Sequence, residues 1–193
     1  IEIKDALSVI KKLHANYEQV ILAGYPPLVK DLIDQGAHEG IDWRNMDVGF
    51  TVAGESVSEE LRDYFIEYGT QFADPTKVIN IYGTADAGII AHETPVSIEA
   101  RRFNAKDLAQ VDDVFGRRVL PTLAQFDPMQ RFFEDVDGDL IFTAASGIPL
   151  IRYNIKDAGG LYFGLEDLLG SEKLREFSGT TEFKKLDLEA WNR

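Results

Sequence analysis

The chain has 193 residues, 45% of them hydrophobic, and its 33 acidic and 20 basic residues give a formal net charge of -13. A chain of this size can bury one good core, or one core with a small satellite. The negative charge argues against a nucleic-acid or anionic-membrane partner, which would repel it, and the lack of cysteine excludes disulfides and thiol nucleophiles. No run reaches the roughly 18 apolar residues of a membrane span, so we expect a cytoplasmic protein without a membrane partner.

Helical and strand patterns alternate through the first half of the chain. Apolar residues at helical spacing precede a short apolar run, a pair of prolines opens the next helix, and serines cap a third. The pattern predicts helices at 3–16, from 26 and from 58 to about 68, with strands at 19–23, 46–52 and 77–81. Repeated units of this kind predict a mostly parallel sheet flanked by helices, with ligands beyond the carboxyl ends of its strands.

After residue 90 the pattern changes to short apolar runs. Asp137-Gly138 is typical of a tight hairpin turn between two strands. The spacing predicts helix within 96–115 and at 165–177, and strands at 120–126, 131–134, 140–144, 150–154 and 161–163. We therefore expect an α/β subdomain at 1–92, followed at 93–193 by a small antiparallel β subdomain with a C-terminal helix.

Two segments carry side chains suited to chemistry. Tyr82-Gly-Thr-Ala-Asp-Ala-Gly88 supplies an aromatic ring, a glycine, a hydroxyl and a carboxylate after a strand. Pro149-Leu-Ile-Arg-Tyr-Asn-Ile-Lys-Asp157 ends an apolar strand with charged and aromatic residues. Taken singly, each has an ordinary explanation, as ring packing on a turn or as a capping carboxylate. Taken together, they suit adenine, ribose and a magnesium-bound phosphate.

In order and spacing these segments resemble the adenylate-forming superfamily, specifically its phenylacetate-coenzyme A ligase-like branch. Val52-Ala-Gly-Glu-Ser-Val-Ser-Glu-Glu-Leu-Arg62 is similar to that branch's strand, Gly-Glu turn and following helix. The segment from Tyr82 resembles its Tyr-Gly-x-Thr-Glu motif, and the segment from Pro149 resembles its Pro-x-x-Arg-Tyr-x-x-Gly-Asp motif. The similarity covers most of the chain and is loose over 95–135.

The resemblance implies that the 1–92 subdomain binds nucleotide, as ATP or AMP, with Mg²⁺. Residues 53 to 55 would form a wall of the adenine pocket, Tyr82 would stack on the purine, and Asp157 would accept hydrogen bonds from both ribose hydroxyls. Thr84 would occupy the catalytic position near the α-phosphate, and Asp86 would bind Mg²⁺. The implied nucleotide-binding residues are Ala53, Gly54, Glu55, Tyr82, Gly83, Arg152 and Asp157.

The resemblance also implies an activity. A carboxylate would attack the α-phosphate of ATP to give an acyl-adenylate and pyrophosphate, with coenzyme A as the expected acyl acceptor. Family precedent suggests an aryl or arylacetic acid, with Tyr25, Phe50 and Ile81 as candidate pocket lining. The chain contains neither the family's Ser/Thr/Gly-rich phosphate loop nor its C-terminal domain with the catalytic lysine. We therefore expect a central fragment of such an enzyme, inactive by itself.

Departures from the family motifs leave other functions open. Asp86 stands where a glutamate is usual, Ala85 where a hydroxyl residue is usual, and Lys156 where glycine is usual. Lysine at that position would either supply a new cation or force a different turn, because glycine tolerates a positive φ better. The alternative is a non-catalytic nucleotide-binding or interaction module with a degenerate site. A third possibility is an unrelated α/β domain whose motif matches are coincidental.

Overall fold

The computed structural model describes residues 2–106, 111, 120–145, 147–181 and 183. The chain forms two compact units, Ile1–Tyr82 and Gly83–Arg193. The sequence pattern predicts a boundary at 92, whereas this division falls at 82/83. Within the described residues, no helix is long and apolar enough to cross a membrane.

The first unit alternates helices with parallel strands. Its elements are α1 (Ile3–Leu13), β1 (Val20–Gly24), α2 (Pro26–His38), β2 (Val48–Ala53), α3 (Glu59–Gly69) and β3 (Val78–Thr84), the last of which ends two residues past the unit boundary. Proline opens α2 at a position whose N–H needs no helical partner. Ser58 caps α3, because its hydroxyl accepts a hydrogen bond from the Leu61 amide.

The core of the first unit lies on one face of these strands. β1 pairs with β2, and β2 with β3, both in parallel. Val48, Phe50 and Val52 alternate along β2 and are at most 1% exposed. The helices add their own apolar residues to this cluster, including Leu7, Ile33 and Phe65. Helices thus flank a mostly parallel sheet, as the sequence predicts.

The second unit adds a separate antiparallel sheet. Its elements are β4 (Gly88–His92), α4 (Pro95–Ala105), β5 (Arg131–Val136), β6 (Asp139–Ala145), β7 (Pro149–Ala158) and α5 (Leu165–Gly179). The strand orders are β1-β2-β3-β4 in the four-stranded sheet and β5-β6-β7 in the three-stranded sheet. Asp137 and Gly138 both have positive φ, 55° and 84°, which confirms the predicted hairpin turn between β5 and β6.

Two predicted strands are wrong. The segment 120–126 is irregular apart from one bridge between Gln125 and His92. Carbonyls of Leu120 and Pro121 accept hydrogen bonds from the buried Arg101 guanidinium, so these groups are satisfied without a strand partner. The segment 161–163 is also irregular.

The end of the 161–163 segment leads directly into α5. The Phe163 amide donates to the Asp167 carboxylate at 3.0 Å, which turns the chain into α5 instead of a strand. α5 itself is interrupted by Gly170, whose φ is 73°. Of the helix predicted within 96–115, residues 107–110 and 112–119 lie outside the described residues.

Candidate functional site

In the first unit, the carboxyl ends of β1 and β2 bring three predicted residues together. Tyr25 follows β1, and Gly54 and Glu55 follow β2. The Tyr25 hydroxyl donates to the Glu55 carboxylate, with 2.5 Å between Oη and Oε1. Gly54 has a φ of +95°, and a Cβ on it would lie 3.4 Å from Cδ2 of the Tyr25 ring. The predicted adenine wall therefore begins with a left-handed turn that only glycine adopts readily.

A residue of β3 also holds this turn. Asn80, which is 4% exposed, donates from Nδ2 to the main-chain carbonyl of Glu55 at 3.1 Å. Ile81 is the register partner of Ala53, so the half-buried Tyr82 comes one residue further along β3, level with Gly54. Ala53 to Glu55 and Tyr82 thus occupy the sheet end where α/β folds bind ligands.

One candidate for the acid pocket is misplaced. Phe50 is 1% exposed and belongs to the core of the first unit. Its ring stacks on Phe65 with 5.2 Å between centroids. Phe50 therefore lines the core and not a substrate pocket, because its position in β2 points it toward the helices.

In the second unit, residues 85 to 87 form a tight turn between β3 and β4. A Cβ on Gly83 would lie 2.6 Å from the main-chain oxygen of Gly88, so this position requires glycine. The Thr84 hydroxyl accepts a hydrogen bond from the Ala87 amide at 3.0 Å. The hydroxyl at the predicted catalytic position therefore also caps its own turn.

Asp86 occupies this turn and contacts β7. The Tyr153 hydroxyl donates to the Asp86 carboxylate, with 2.7 Å between Oη and Oδ2. This hydrogen bond, followed by repulsion from the carboxylate charge, raises the pKa of Tyr153 above its usual value. Among the described residues, no group of three or more histidine, aspartate or glutamate side chains could hold a metal ion. A single carboxylate still fits Mg²⁺ on a nucleotide, since phosphates and waters supply the other ligands.

Strand β7 is bulged at the two positions where its motif carries a basic side chain. Arg152 and Lys156 have φ values of 50° and 67°, uncommon for residues other than glycine. The register with β6 shifts on both sides, between Phe142 and Ala144 and between Asp139 and Ile141. Bulges of this kind redirect side chains and are frequent beside active sites.

Side chains of the same sheet support both bulges. The Arg152 amide donates to the Thr143 hydroxyl at 3.0 Å, and its guanidinium Nε lies 3.3 Å from the Glu134 carboxylate. The Lys156 amide donates to the Asn154 side chain at 2.7 Å. Lys156 thus adopts a left-handed backbone conformation, which glycine tolerates better than other residues.

The bulge at Lys156 is joined to β6 by an ion pair with Asp139. Lys156 Nζ lies 3.2 Å from the Asp139 carboxylate. Hydrogen bonds from Asn154 and then Lys156 lower the pKa of Asp139 below its usual value. Asp157, the predicted ribose ligand, follows in an exposed position on β7.

Sequence reasoning missed Asn80 and the role of Tyr153. The alternation of β3 could have indicated Asn80, because a polar residue on a buried strand face needs a hydrogen-bond partner. No sequence signal indicates the contact between Tyr153 and Asp86, which are 67 residues apart.

The fold places the protein in the α/β class with a second, antiparallel sheet. No protein-family model matches the chain, and no curated protein matches it.

Proposed function

We propose that this chain is the nucleotide-binding segment of an ATP-dependent enzyme that activates a carboxylic acid as its acyl-adenylate. The observation that carries the proposal is the Gly54-Glu55 turn. It leaves a buried parallel strand in a left-handed conformation and is held by Tyr25 and Asn80. Carboxyl ends of parallel strands are where such sheets bind ligands.

The first unit supplies groups suited to a purine. Glycine at 54 lets a flat ring approach the backbone closely, since no Cβ intervenes. Tyr82, level with that turn, offers an aromatic face for stacking. The carbonyl and carboxylate oxygens of Glu55 can accept hydrogen bonds from a base.

The second unit supplies groups suited to phosphate and ribose. Asp86 would hold Mg²⁺, which neutralises phosphate charge when bound. This matters because a chain of net charge -13 would otherwise repel ATP. Thr84 would orient the reacting carboxylate and Asp157 would accept the ribose hydroxyls, while Gly83 and Arg152 complete the nucleotide contacts. These roles are positioning and charge stabilisation, and none requires a general base.

The proposed substrate is a small aryl or arylacetic acid, and the proposed acceptor is coenzyme A. The chain has no cysteine, so it has no thiol of its own to receive the acyl group. Half-buried Ile81 remains a candidate for the lining of the acid pocket.

Exchange of labelled pyrophosphate into ATP tests this function in the full-length protein that contains the chain. With a panel of aryl acids, we expect exchange that depends on one acid. Asp86→Asn should abolish it, whereas Asp31→Asn, an exposed carboxylate of α2, should leave it unchanged. Acid activation at this site would be refuted if none of the acids supported exchange. It would also be refuted if the Asp86 variant exchanged fully.

A non-catalytic nucleotide-binding module is the second candidate. It is favoured because both basic side chains of the β7 motif, Arg152 and Lys156, form ion pairs with carboxylates of their own sheet. In each pair, the carboxylate partner competes with phosphate for the cation. Binding of AMP without pyrophosphate exchange for any acid would support this candidate over the enzyme.

A further inference from the structure

A groove of the first unit lies at the amino end of β2, at the opposite end of that strand from the Gly54-Glu55 turn. Its volume is about 540 Å³, within the range of about 300–1,000 Å³ typical of small-molecule sites. It is lined by Arg44 from the short helix Trp43–Asn45, by α3 and by the segment that follows α3. The groove shares no residue with the proposed nucleotide site.

Hydrogen bonds to the start of β2 hold the segment that follows α3. The hydroxyl of Thr70, a residue that is 3% exposed, accepts a hydrogen bond from the Val48 amide at 3.2 Å. The Gln71 amide donates to the Met46 carbonyl at 3.0 Å. Thr70 and Gln71 both line the groove, so its base is tied to the sheet before any ligand binds.

Phe72 and Ile66 give the groove an apolar wall. Phe72 is 40% exposed, and Lys77 Nζ lies 4.7 Å from the centroid of its ring. The same Nζ lies 2.8 Å from the Asp47 carboxylate, so the ring packs on a cation that is itself held in place. An apolar side chain of a ligand can therefore pack on Phe72 and on half-buried Ile66.

The groove also carries charges of both signs. The Tyr68 hydroxyl donates to the Glu67 carboxylate, and this hydrogen bond raises the pKa of Tyr68, while the positive charge of Arg44 opposes the shift. Arg44 and Glu67 therefore act on the same hydroxyl. Among the residues that the structure describes, neither of them forms an ion pair. The groove thus offers a cation and an anion that a ligand can engage.

We propose that this groove binds a free α-amino acid with an apolar side chain, in its zwitterionic form. Arg44 binds the carboxylate of the amino acid, and Glu67 binds its ammonium group. Glu67 lies in the last turn of α3, where the helix dipole also favours a cation. A simple anion would be repelled by Glu67 and a simple cation by Arg44, whereas a zwitterion satisfies both.

Titration of L-leucine into the full chain, followed by backbone amide NMR, tests the inference. We expect saturable shifts at Arg44 and at 66–72, and none at 54–55. N-acetyl-leucine lacks the ammonium group and leucinamide lacks the carboxylate, so each should bind about tenfold or more weakly, as expected for the loss of a charged hydrogen bond. L-alanine should also bind more weakly, because its side chain covers less of the apolar wall.

Two variants assign the charges. Arg44→Gln should weaken binding of leucine about tenfold and leave binding of leucinamide unchanged, because leucinamide has no carboxylate for Arg44. Glu67→Gln should weaken binding of leucine and leave binding of N-acetyl-leucine unchanged. Lys12→Gln and Asp31→Asn, which remove an exposed cation of α1 and an exposed anion of α2, are the matched controls and should bind leucine as the wild type does.

The inference is overturned if leucine causes no saturable shifts in the groove. It is also overturned if leucinamide or N-acetyl-leucine binds as tightly as leucine, or if Arg44→Gln binds leucine as the wild type does. Thermal unfolding of each variant checks that lost binding is not lost folding. Titration of AMP into the same samples tests the nucleotide site separately, so failure of one proposal leaves the other standing.

Discussion

Tyr153 of β7 donates a hydrogen bond to Asp86, 67 residues earlier, with 2.7 Å between the phenol and carboxylate oxygens. The contact ties the β3-β4 turn to the antiparallel sheet within the second unit. The hydrogen bond engages Oδ2 of the Asp86 carboxylate. Asp86 therefore has a defined orientation before any ligand binds, which is a requirement for a preorganised site.

We predict that Asp86→Asn lowers the pKa of Tyr153 toward the ordinary value of 10.0. Because the folded pKa is raised, the pair stabilises the protein below pH 10 and loses this contribution as the pH rises through the folded pKa. The alkaline decline in unfolding free energy should be less steep in Asp86→Asn. NMR titration of the Tyr153 ring measures the shift directly, and an unchanged midpoint in the variant would mean that the pair does not form.

We predict that Gly83→Ala destabilises the protein by about 1–3 kcal/mol. An added methyl group would lie 2.6 Å from the Gly88 oxygen, and this backbone atom cannot move aside without opening the turn. Chemical denaturation gives the change in unfolding free energy. Gly147→Ala serves as a control, because a Cβ there meets nothing within 4 Å. Equal stability of the two variants would show that the close approach is absent.

We predict that Lys156→Gly is more stable than Lys156→Ala by about 1 kcal/mol. Both variants lose the ion pair with Asp139, and only glycine relieves the φ of 67°. The comparison therefore isolates the backbone from the charge. Denaturation midpoints of the two variants measure it, and a more stable alanine variant would contradict a left-handed residue at 156.

Much of the first unit could be predicted because its signals are local. Helical spacing, the Pro26 start and the Ser58 cap each depend on neighbouring residues, and the structure confirms all three. β4 was missed because its apolar run follows a motif that predicts a site instead of a strand. The prediction of a strand at 120–126 is wrong, because the Arg101 side chain satisfies the carbonyls of Leu120 and Pro121 instead of a strand partner.

In the candidate site too, local features could be predicted from the sequence, whereas contacts between distant residues could not. The Gly54 turn was predictable from its position after a strand, and its positive φ agrees. The bulges at Arg152 and Lys156 depend on the register between β6 and β7, which tertiary packing sets. The Tyr153 partner of Asp86 likewise requires the folded chain.

Titration of AMP with Mg²⁺, followed by backbone amide NMR, tests the central claim most directly. We predict weak binding, on the order of millimolar or about -4 kcal/mol. Amides at 53–55 and Tyr82 should shift in the first unit, and those at 84–86 and Asp157 in the second. Asp157→Ala should weaken binding, and Asp31→Ala should not. Absence of shifts at these residues, or identical binding by Asp157→Ala, would contradict a nucleotide site in this chain.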